Sequence, residues 1–381
     1  MMPVLRTTLA ILALPVLAMA GTDFRSWARG LEARGVVVSA GLWDAHTGKA
    51  LDRYHDDLAL VPASTTKVVT TYALLKALKP DFTLDTEVWG DLNDGVVRGD
   101  LVFKGDGDPL LTSERLWLLA HTLRKQGVQR VTGGIRLEQS AFDDQRAPAG
   151  WENTSADTLP TVLPLSVNFN RDEAGRLLPD PERQARETIQ RIFQEAGIAI
   201  EGGASGKEAP RKLTTWTSPP LRAQVMDINK WSNNFMIEML VRKFGAGSWP
   251  RGIQRIQDFY RTAFNLGPDR VRITDGSGLS KDNRLSARTL AVILRGAYHD
   301  FEVGPEFVSS LKIIGGEPWK LKVKDPNLAR RVRVKTGHLD RVTSLCGYLQ
   351  TLDGQVRVFA ILLNGPARDE DIWEQISRWA N

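Results

Sequence analysis

Ser64 and Lys67 stand three residues apart in Pro62-Ala63-Ser64-Thr65-Thr66-Lys67, just ahead of the apolar run Val68 to Leu78. On a helix that spacing puts both side chains on one face, with Cβ atoms about 5–6 Å apart. An ammonium desolvated among other cations gives up its proton readily and can then take one from a serine hydroxyl. A serine in the first helical turn also has free amides and the helix dipole beside the oxyanion it would create. A second cation lies in Lys335-Thr336-Gly337, which ends the run Arg331-Val332-Arg333-Val334. Strand alternation places Arg331, Arg333 and Lys335 on one face. Lys335 offers a charge and Thr336 a hydroxyl to a carboxylate, and Gly337 leaves room for a substrate backbone at the strand edge. A third group has two candidates, Ser166-Val167-Asn168 and Ser232-Asn233-Asn234. The first alternates like a strand in the middle of the chain. The second opens an apolar helix, and on that ground Ser232 and Asn234 are preferred.

These groups need elements to hold them. Helical spacing of Phe24, Trp27 and Leu31 predicts a helix over 23–34, followed by a strand from Val36 to Trp43 and a returning strand from Ala50 to Tyr54. Arg331 to Thr336, Thr343 to Thr351 and Val356 to Asn364 read as three more strands, and Asp369 to Trp379 as an amphipathic closing helix. Strands contributed by both ends of the chain imply one antiparallel sheet between helices. The middle is then an insertion, with strands at 87–89, 96–104 and 131–137 and helices at 113–126 and 180–196. The last of these is capped by Asp180 with Pro181 at its start. From Leu221 to Phe244 the chain reads as strongly helical. The expected class is α+β, an α/β three-layer main domain from residues 21–80 and 219–381 with one inserted α/β domain at 81–218.

Composition narrows the chemistry. At 381 residues, 42% hydrophobic and 25% charged, the chain is an ordinary globular protein, which excludes fibrous and disordered classes. One cysteine excludes an intramolecular disulfide and any multi-cysteine metal site, and Cys346 lies in a strand-like apolar run as a small buried hydrophobe. The five histidines are scattered without a ligand pair, so neither metal nor other cofactor is expected. A net charge of +5 gives no specific support to a nucleic-acid partner. Arg6, the apolar stretch Leu9 to Leu17 and Ala18-Met19-Ala20 predict a cleavable signal over residues 1–20 and export, with a periplasmic location and no permanent membrane span.

In their order, Ser64-x-x-Lys67, Ser232-x-Asn234 and Lys335-Thr336-Gly337 resemble the three signatures of penicillin-binding proteins and serine β-lactamases. The chain is most similar to the class C low-molecular-mass group, the penicillin-binding protein 4-like D-alanyl-D-alanine carboxypeptidase/endopeptidases. Phe103 to Pro109, Ser166 to Asn170, Asn229 to Asn234 and Thr274 to Ser280 extend the likeness, which runs from about Val37 to Asn364. The resemblance implies a β-lactamase/transpeptidase-like fold and an acyl-enzyme mechanism on peptidoglycan stem peptides. Ser64 would attack the carbonyl between two D-alanines with Lys67 as base. Ser232 would pass protons to the leaving amine, and Asn234 would bond the substrate amide. Lys335 and Thr336 would hold the terminal carboxylate. Asp144, with Asp143, lies in a segment that in the family meets the amino end of the substrate's diamino acid. β-Lactam antibiotics would acylate Ser64 and stall there.

The chain departs from the family at three places. Only Arg171 to Pro181 stands where the family carries an innermost inserted domain, His338 follows Gly337 in place of a small hydroxyl residue, and Gly315 to Trp319 is an unusual version of its stretch. A serine β-lactamase is the first rival, but no Glu-x-x-Leu-Asn motif supplies a base for its deacylating water. A non-catalytic wall-binding homologue is the second, and no catalytic position is substituted.

Overall fold

The computed structural model describes residues 24–151, 160–203, 211–316, 323 and 325–381. The expected signal over residues 1–20, and Glu317, Pro318 and Trp319 of the unusual stretch, lie outside the described residues.

The chain opens with α1 (Phe24–Glu32), β1 (Val37–Asp44) and β2 (Ala50–Tyr54), then enters α2 (Thr66–Leu78) through a 3₁₀ turn, Ala63–Thr65. The next stretch runs through β3 (Asp85–Asn93), β4 (Val96–Gly105), α3 (Ser113–Lys125), β5 (Arg130–Val131), β6 (Ile135–Glu138), α4 (Pro181–Glu195), β7 (Ala199–Ile200) and β8 (Arg211–Thr217). Helices α5 (Leu221–Trp231), α6 (Asn234–Phe244), α7 (Trp249–Phe264), α8 (Ala287–His299) and α9 (Gly304–Ser310) follow. The chain ends with β9 (Lys312–Ile313), β10 (Val332–Leu339), β11 (Val342–Gln350), β12 (Val356–Asn364) and α10 (Asp369–Ala380).

Six strands in the order β2-β1-β12-β11-β10-β9 form an antiparallel sheet from the two ends of the chain. Its central strand explains the layers. β12 is apolar on both faces: Val358, Ala360 and Leu362 enter one core with α2, α5 to α9, while Phe359, Ile361 and Leu363 enter another with α1 and α10. Alternation therefore serves two helical layers at once, so the strand is an almost unbroken hydrophobic run. Trp27 in α1 donates its indole N–H to the Asp371 carbonyl at 3.0 Å and ties the two terminal helices together.

The second sheet has the order β7-β5-β4-β3-β8, with β6 also on β4, and packs α3 and α4 around its own core. It is mixed, because β5 and β6 both run parallel to β4. Asp85 pairs with Thr217, so the segment enters and leaves this sheet at adjacent ladder positions. Asp180 caps α4 by accepting from the Arg183 amide at 3.0 Å, as its sequence pattern predicts.

Two expected elements differ. The strand expected over 131–137 is broken, since Thr132 to Gly134 turn between β5 and β6. The helical stretch expected from Leu221 to Phe244 is two helices, separated at Ser232 with left-handed φ 58°, and the second starts at Asn234, where Ser232-Asn233-Asn234 was expected to open a helix. Asn233 makes the restart possible by accepting from the Met236 amide at 3.0 Å as an N-cap. Helical periodicity continues across the break, so only the Asn-rich composition betrays it.

Candidate active site

The turn that carries Ser64 is held by its own backbone and neighbours. Ala63 takes a left-handed φ of 49°, an unfavourable conformation for a residue with a Cβ. The Thr65 hydroxyl donates to the Pro62 carbonyl at 2.7 Å and the Thr66 hydroxyl to the Ala63 carbonyl at 2.8 Å, so the turn is locked by its own side chains. Ser344 on β11 adds a hydroxyl bond to the Pro62 carbonyl at 2.6 Å. Ser64 emerges from this turn half-buried, while Lys67 in the first turn of α2 is fully buried.

Lys67 Nζ lies 3.0 Å from Ser64 Oγ, and donates to Asn234 Oδ1 at 2.6 Å and to the Ser277 carbonyl at 2.7 Å. A neutral amine has two N–H donors and one lone pair. Two fixed acceptors take the donors, which leaves the lone pair facing the serine hydroxyl. Burial drives Lys67 down to about 7 against the upward pull of the Asp275 and Glu238 carboxylates, so the neutral form is accessible near neutrality.

A second hydroxyl–amine pair sits beside the first. Ser232, at the α5–α6 break, has its Oγ 3.0 Å from Lys335 Nζ, which also donates to the Thr336 carbonyl at 2.8 Å. Lys335 is fully buried, and burial first, then the charges of Lys67 and Lys312, hold its amine well below the usual lysine range. Ser64, Lys67, Ser232, Asn234 and Lys335 thus converge from three distant stretches of sequence. Two amines and two hydroxyls in one partly desolvated cleft can shuttle protons during acyl transfer.

Gly337 has a more specific reason to be glycine than room for a ligand at the strand edge. A Cβ there would lie 2.9 Å from the Ser64 amide nitrogen and 2.9 Å from the Pro62 carbonyl, and would strike the Ser344 hydroxyl. The space is filled by Ser344 and the turn that carries Ser64. Gly337→Ala is expected to displace Ser64 and slow its acylation by about 100-fold, the usual cost of misplacing a reacting group by about 1 Å. A fluorescent-penicillin labelling rate checks this. β9 covers β10 only at Arg333 and Val334, so Thr336 and its neighbours lie beyond that pairing.

The remaining sequence candidates are placed as follows. Asp144 is exposed, on a loop pinned at both ends: Arg242 donates to the Asp143 carboxylate at 2.7 Å, and Trp151 donates to Asp275 at 2.8 Å. Arg331 precedes β10 and braces the C-terminus by donating to the Asn327, Gln350 and Ala380 carbonyls, so it does not share the Lys335 face in the expected way. His338 is exposed and meets Asp369, the first residue of α10, at 2.7 Å. Cys346 is fully buried on β11, its thiol pushed by burial up to about 12. Ser166 and Asn168 lie in no strand. Ser166 donates to the Leu163 carbonyl, and Asn168 caps α3 through the Ser113 amide at 2.9 Å. The short stretch after Asn170 is a tight turn in which Arg171 bridges to Leu177. It borders a cavity of about 460 Å³ that reaches Asn234 and Phe235.

Sequence reasoning assigned no role to Glu238, Asp275 and Ser277, all fully buried around Lys67. A signal was present: Glu238 is an acidic residue inside the apolar run Phe235 to Val241, and buried carboxylates demand partners.

The model of the D-Ala-D-Ala carboxypeptidase 3 (S13) family matches residues 32–161 and 162–381. A carboxypeptidase of Mycobacterium tuberculosis is 28% identical over 395 residues, spanning 92% of this chain and 83% of that protein. A D-alanyl-D-alanine carboxypeptidase of Actinomadura is 25% identical over 426 residues, spanning 87% and 78%. Among solved structures, penicillin binding protein 4 from Haemophilus influenzae has a TM-score of 0.79 at 18% identity, covering 92% of this chain and 98% of that one. A predatory peptidoglycan endopeptidase from Bdellovibrio bacteriovorus has a TM-score of 0.64 at 15% identity, covering 91% and 93%. At these identities the structural likenesses speak for the fold, which is of the β-lactamase/transpeptidase-like type.

Proposed function

The chain belongs to the D-Ala-D-Ala carboxypeptidase 3 (S13) family, a family of serine-type hydrolases, and from that premise we propose a peptidoglycan D-alanyl-D-alanine carboxypeptidase with endopeptidase activity on cross-linked peptides. Ser64 is its nucleophile. As Ser64 Oγ bonds to the carbonyl carbon of the penultimate D-alanine, its proton passes to Lys67 Nζ. The C–N bond then breaks as the departing amine takes the Ser232 hydroxyl proton, and Ser232 is reprotonated by the proton that Lys67 took from Ser64, relayed through Lys335 Nζ. Water hydrolyses the ester and restores the Ser64 hydroxyl. Asn234 keeps Oδ1 on Lys67 and turns its amide N–H₂ to the substrate, while Lys335 and the Thr336 hydroxyl receive the terminal carboxylate. Asp144 faces the diamino acid's ammonium. Gly337 supports the Ser64 turn. The catalytic unit comprises residues 21–80 and 219–381, with 81–218 inserted. Export to the periplasm rests on the signal-like residues 1–20, and no helix among the described residues is long and apolar enough to cross a membrane.

One observation carries the proposal: Lys67 Nζ stands 3.0 Å from Ser64 Oγ with its two other contacts both acceptors. Intact-mass spectrometry after brief exposure to penicillin tests it. A covalent increment on the Ser64 peptide that decays slowly is the expected result. Rapid turnover without accumulation would make the protein a β-lactamase, and no adduct at all would leave a wall-binding homologue.

A further inference from the structure

Glu238 sits one helical turn beyond Asn234 in α6, fully buried, and has no part in the chemistry proposed above. Three donors converge on it. Oε1 accepts from the Gly276 amide at 3.0 Å and the Ser277 amide at 2.7 Å, and Oε2 accepts from the Trp249 indole at 2.9 Å. Asp275 completes the arrangement from the other side by accepting from the Gly278 amide at 2.9 Å. Two successive peptide groups are therefore held by their N–H ends on buried carboxylates. Their carbonyl ends both meet α2: Gly276 O accepts from the Thr70 hydroxyl at 2.9 Å, and Ser277 O from Lys67 Nζ at 2.7 Å. The loop has no slack. A Cβ on Gly276 would lie 2.5 Å from Val241 Cγ2, and one on Gly278 would collide with the Ala63 carbonyl of the nucleophile turn.

We propose that Glu238 is a positioning residue for acyl transfer: by clamping the Gly276 and Ser277 amides it fixes the Ser277 carbonyl as one of the two acceptors that keep the Lys67 lone pair on Ser64. This rests on Lys67 acting as the base. Glu238 has no hydrogen bond to Ser64 or Ser232, so it acts through the 276–278 loop, which bonds Lys67 and packs against the Ala63 carbonyl. Its charge has a second consequence. The charged groups facing Lys67 are Glu238 from α6, Asp275 from the loop and Lys335 from β10. Both carboxylates favour the ammonium form, so removing one can move Lys67 deprotonation only to lower pH. Burial and then Asp275 push Glu238 itself up to about 8, so its charge is largely withdrawn where Lys67 titrates and the two groups behave as a coupled pair.

The test uses the full-length protein, with penicillin as the acylating probe, and separates the acylation rate constant from the non-covalent binding constant across neutral pH. In Glu238→Gln combined with Trp249→Phe, the glutamine carbonyl keeps both loop amides and its N–H₂ no longer meets an indole N–H. This variant should keep its plateau rate within about threefold, because the loop stays clamped without the carboxylate's charge. Glu238→Ala should lose about 100-fold in the acylation rate constant with little change in binding. A plateau rate lost in the double variant as it is in Glu238→Ala, or a full plateau rate in Glu238→Ala, overturns the inference. Where Glu238→Ala does not fold, the double variant decides alone. Failure of the wild type to label at Ser64 would instead overturn the catalytic reading itself.

Discussion

Ser64→Ala is expected to abolish covalent labelling by penicillin and to reduce D-alanine release by about 10⁴-fold or more, the scale on which serine acyl transferases depend on their nucleophile. The expectation rests on what surrounds the residue. The neighbouring hydroxyls are committed elsewhere: Thr65 to the Pro62 carbonyl, Thr66 to the Ala63 carbonyl, and Ser277 to Asp275 at 3.3 Å. Ser232 is paired with Lys335 and not with the proposed base. Cys346 is the chain's one cysteine, but its thiol is buried and raised to about 12, so it yields almost no thiolate. Stability should barely change, by less than about 0.5 kcal/mol, because the turn is held by the threonines and Ser344 and not by the Ser64 side chain. Intact mass after penicillin treatment and a thermal melt together check both halves. An adduct persisting in the variant would move the nucleophile elsewhere.

The main sheet was legible because β1, β11 and β12 are buried along almost their whole length and α1 and α10 have clean apolar periodicity. The returning strand Ala50 to Tyr54 and the strand Val356 to Asn364 sit where their composition places them. That Ser232-Asn233-Asn234 opens a helix was legible, but the left-handed break that separates it from α5 was not. Apolar spacing runs on from Val225 and Ile228 into Phe235 and Ile237, and a left-handed serine leaves no periodic trace. Yet that break is what aims Ser232 at Lys335. In the site, Ser64 and Lys67 could be read from local spacing, since one turn of helix relates them. Glu238, Asp275 and Ser277 act across 171 to 210 residues of sequence on Lys67, and only the folded chain brings a carbonyl to that amine. Gly337 was read from its lack of a side chain, but which atoms fill that space depends on the packing of β10 on the turn before α2. Spacing reports neighbours along the chain, whereas the second layer of a site is made by tertiary contact.

Replacing Lys67 separates the role of its proton from the role of its charge. Lys67→Met leaves Asn234 Oδ1 and the Ser277 carbonyl without a donor and Ser64 without a base. A loss of about 10²–10⁴-fold in acylation is expected, the range of general-base catalysis. Lys67→Arg restores a cation and donors but cannot surrender its proton, because the guanidinium stays charged at any usable pH. If the lysine worked only as a positive charge, arginine would rescue acylation; as a base, it should not. The wild-type pH dependence carries the same test with no mutation. Burial holds Lys67 at about 7, so the fraction of neutral amine rises as pH increases through that value. The acylation rate should therefore climb with pH below it, by up to about tenfold per unit, and level off above. A cation needed for its charge would give the opposite slope, with the rate falling as the amine loses its proton. Penicillin acylation constants measured through neutrality thus decide between the two roles by sign alone, and a rate that falls through pH 7 would remove Lys67 as the base.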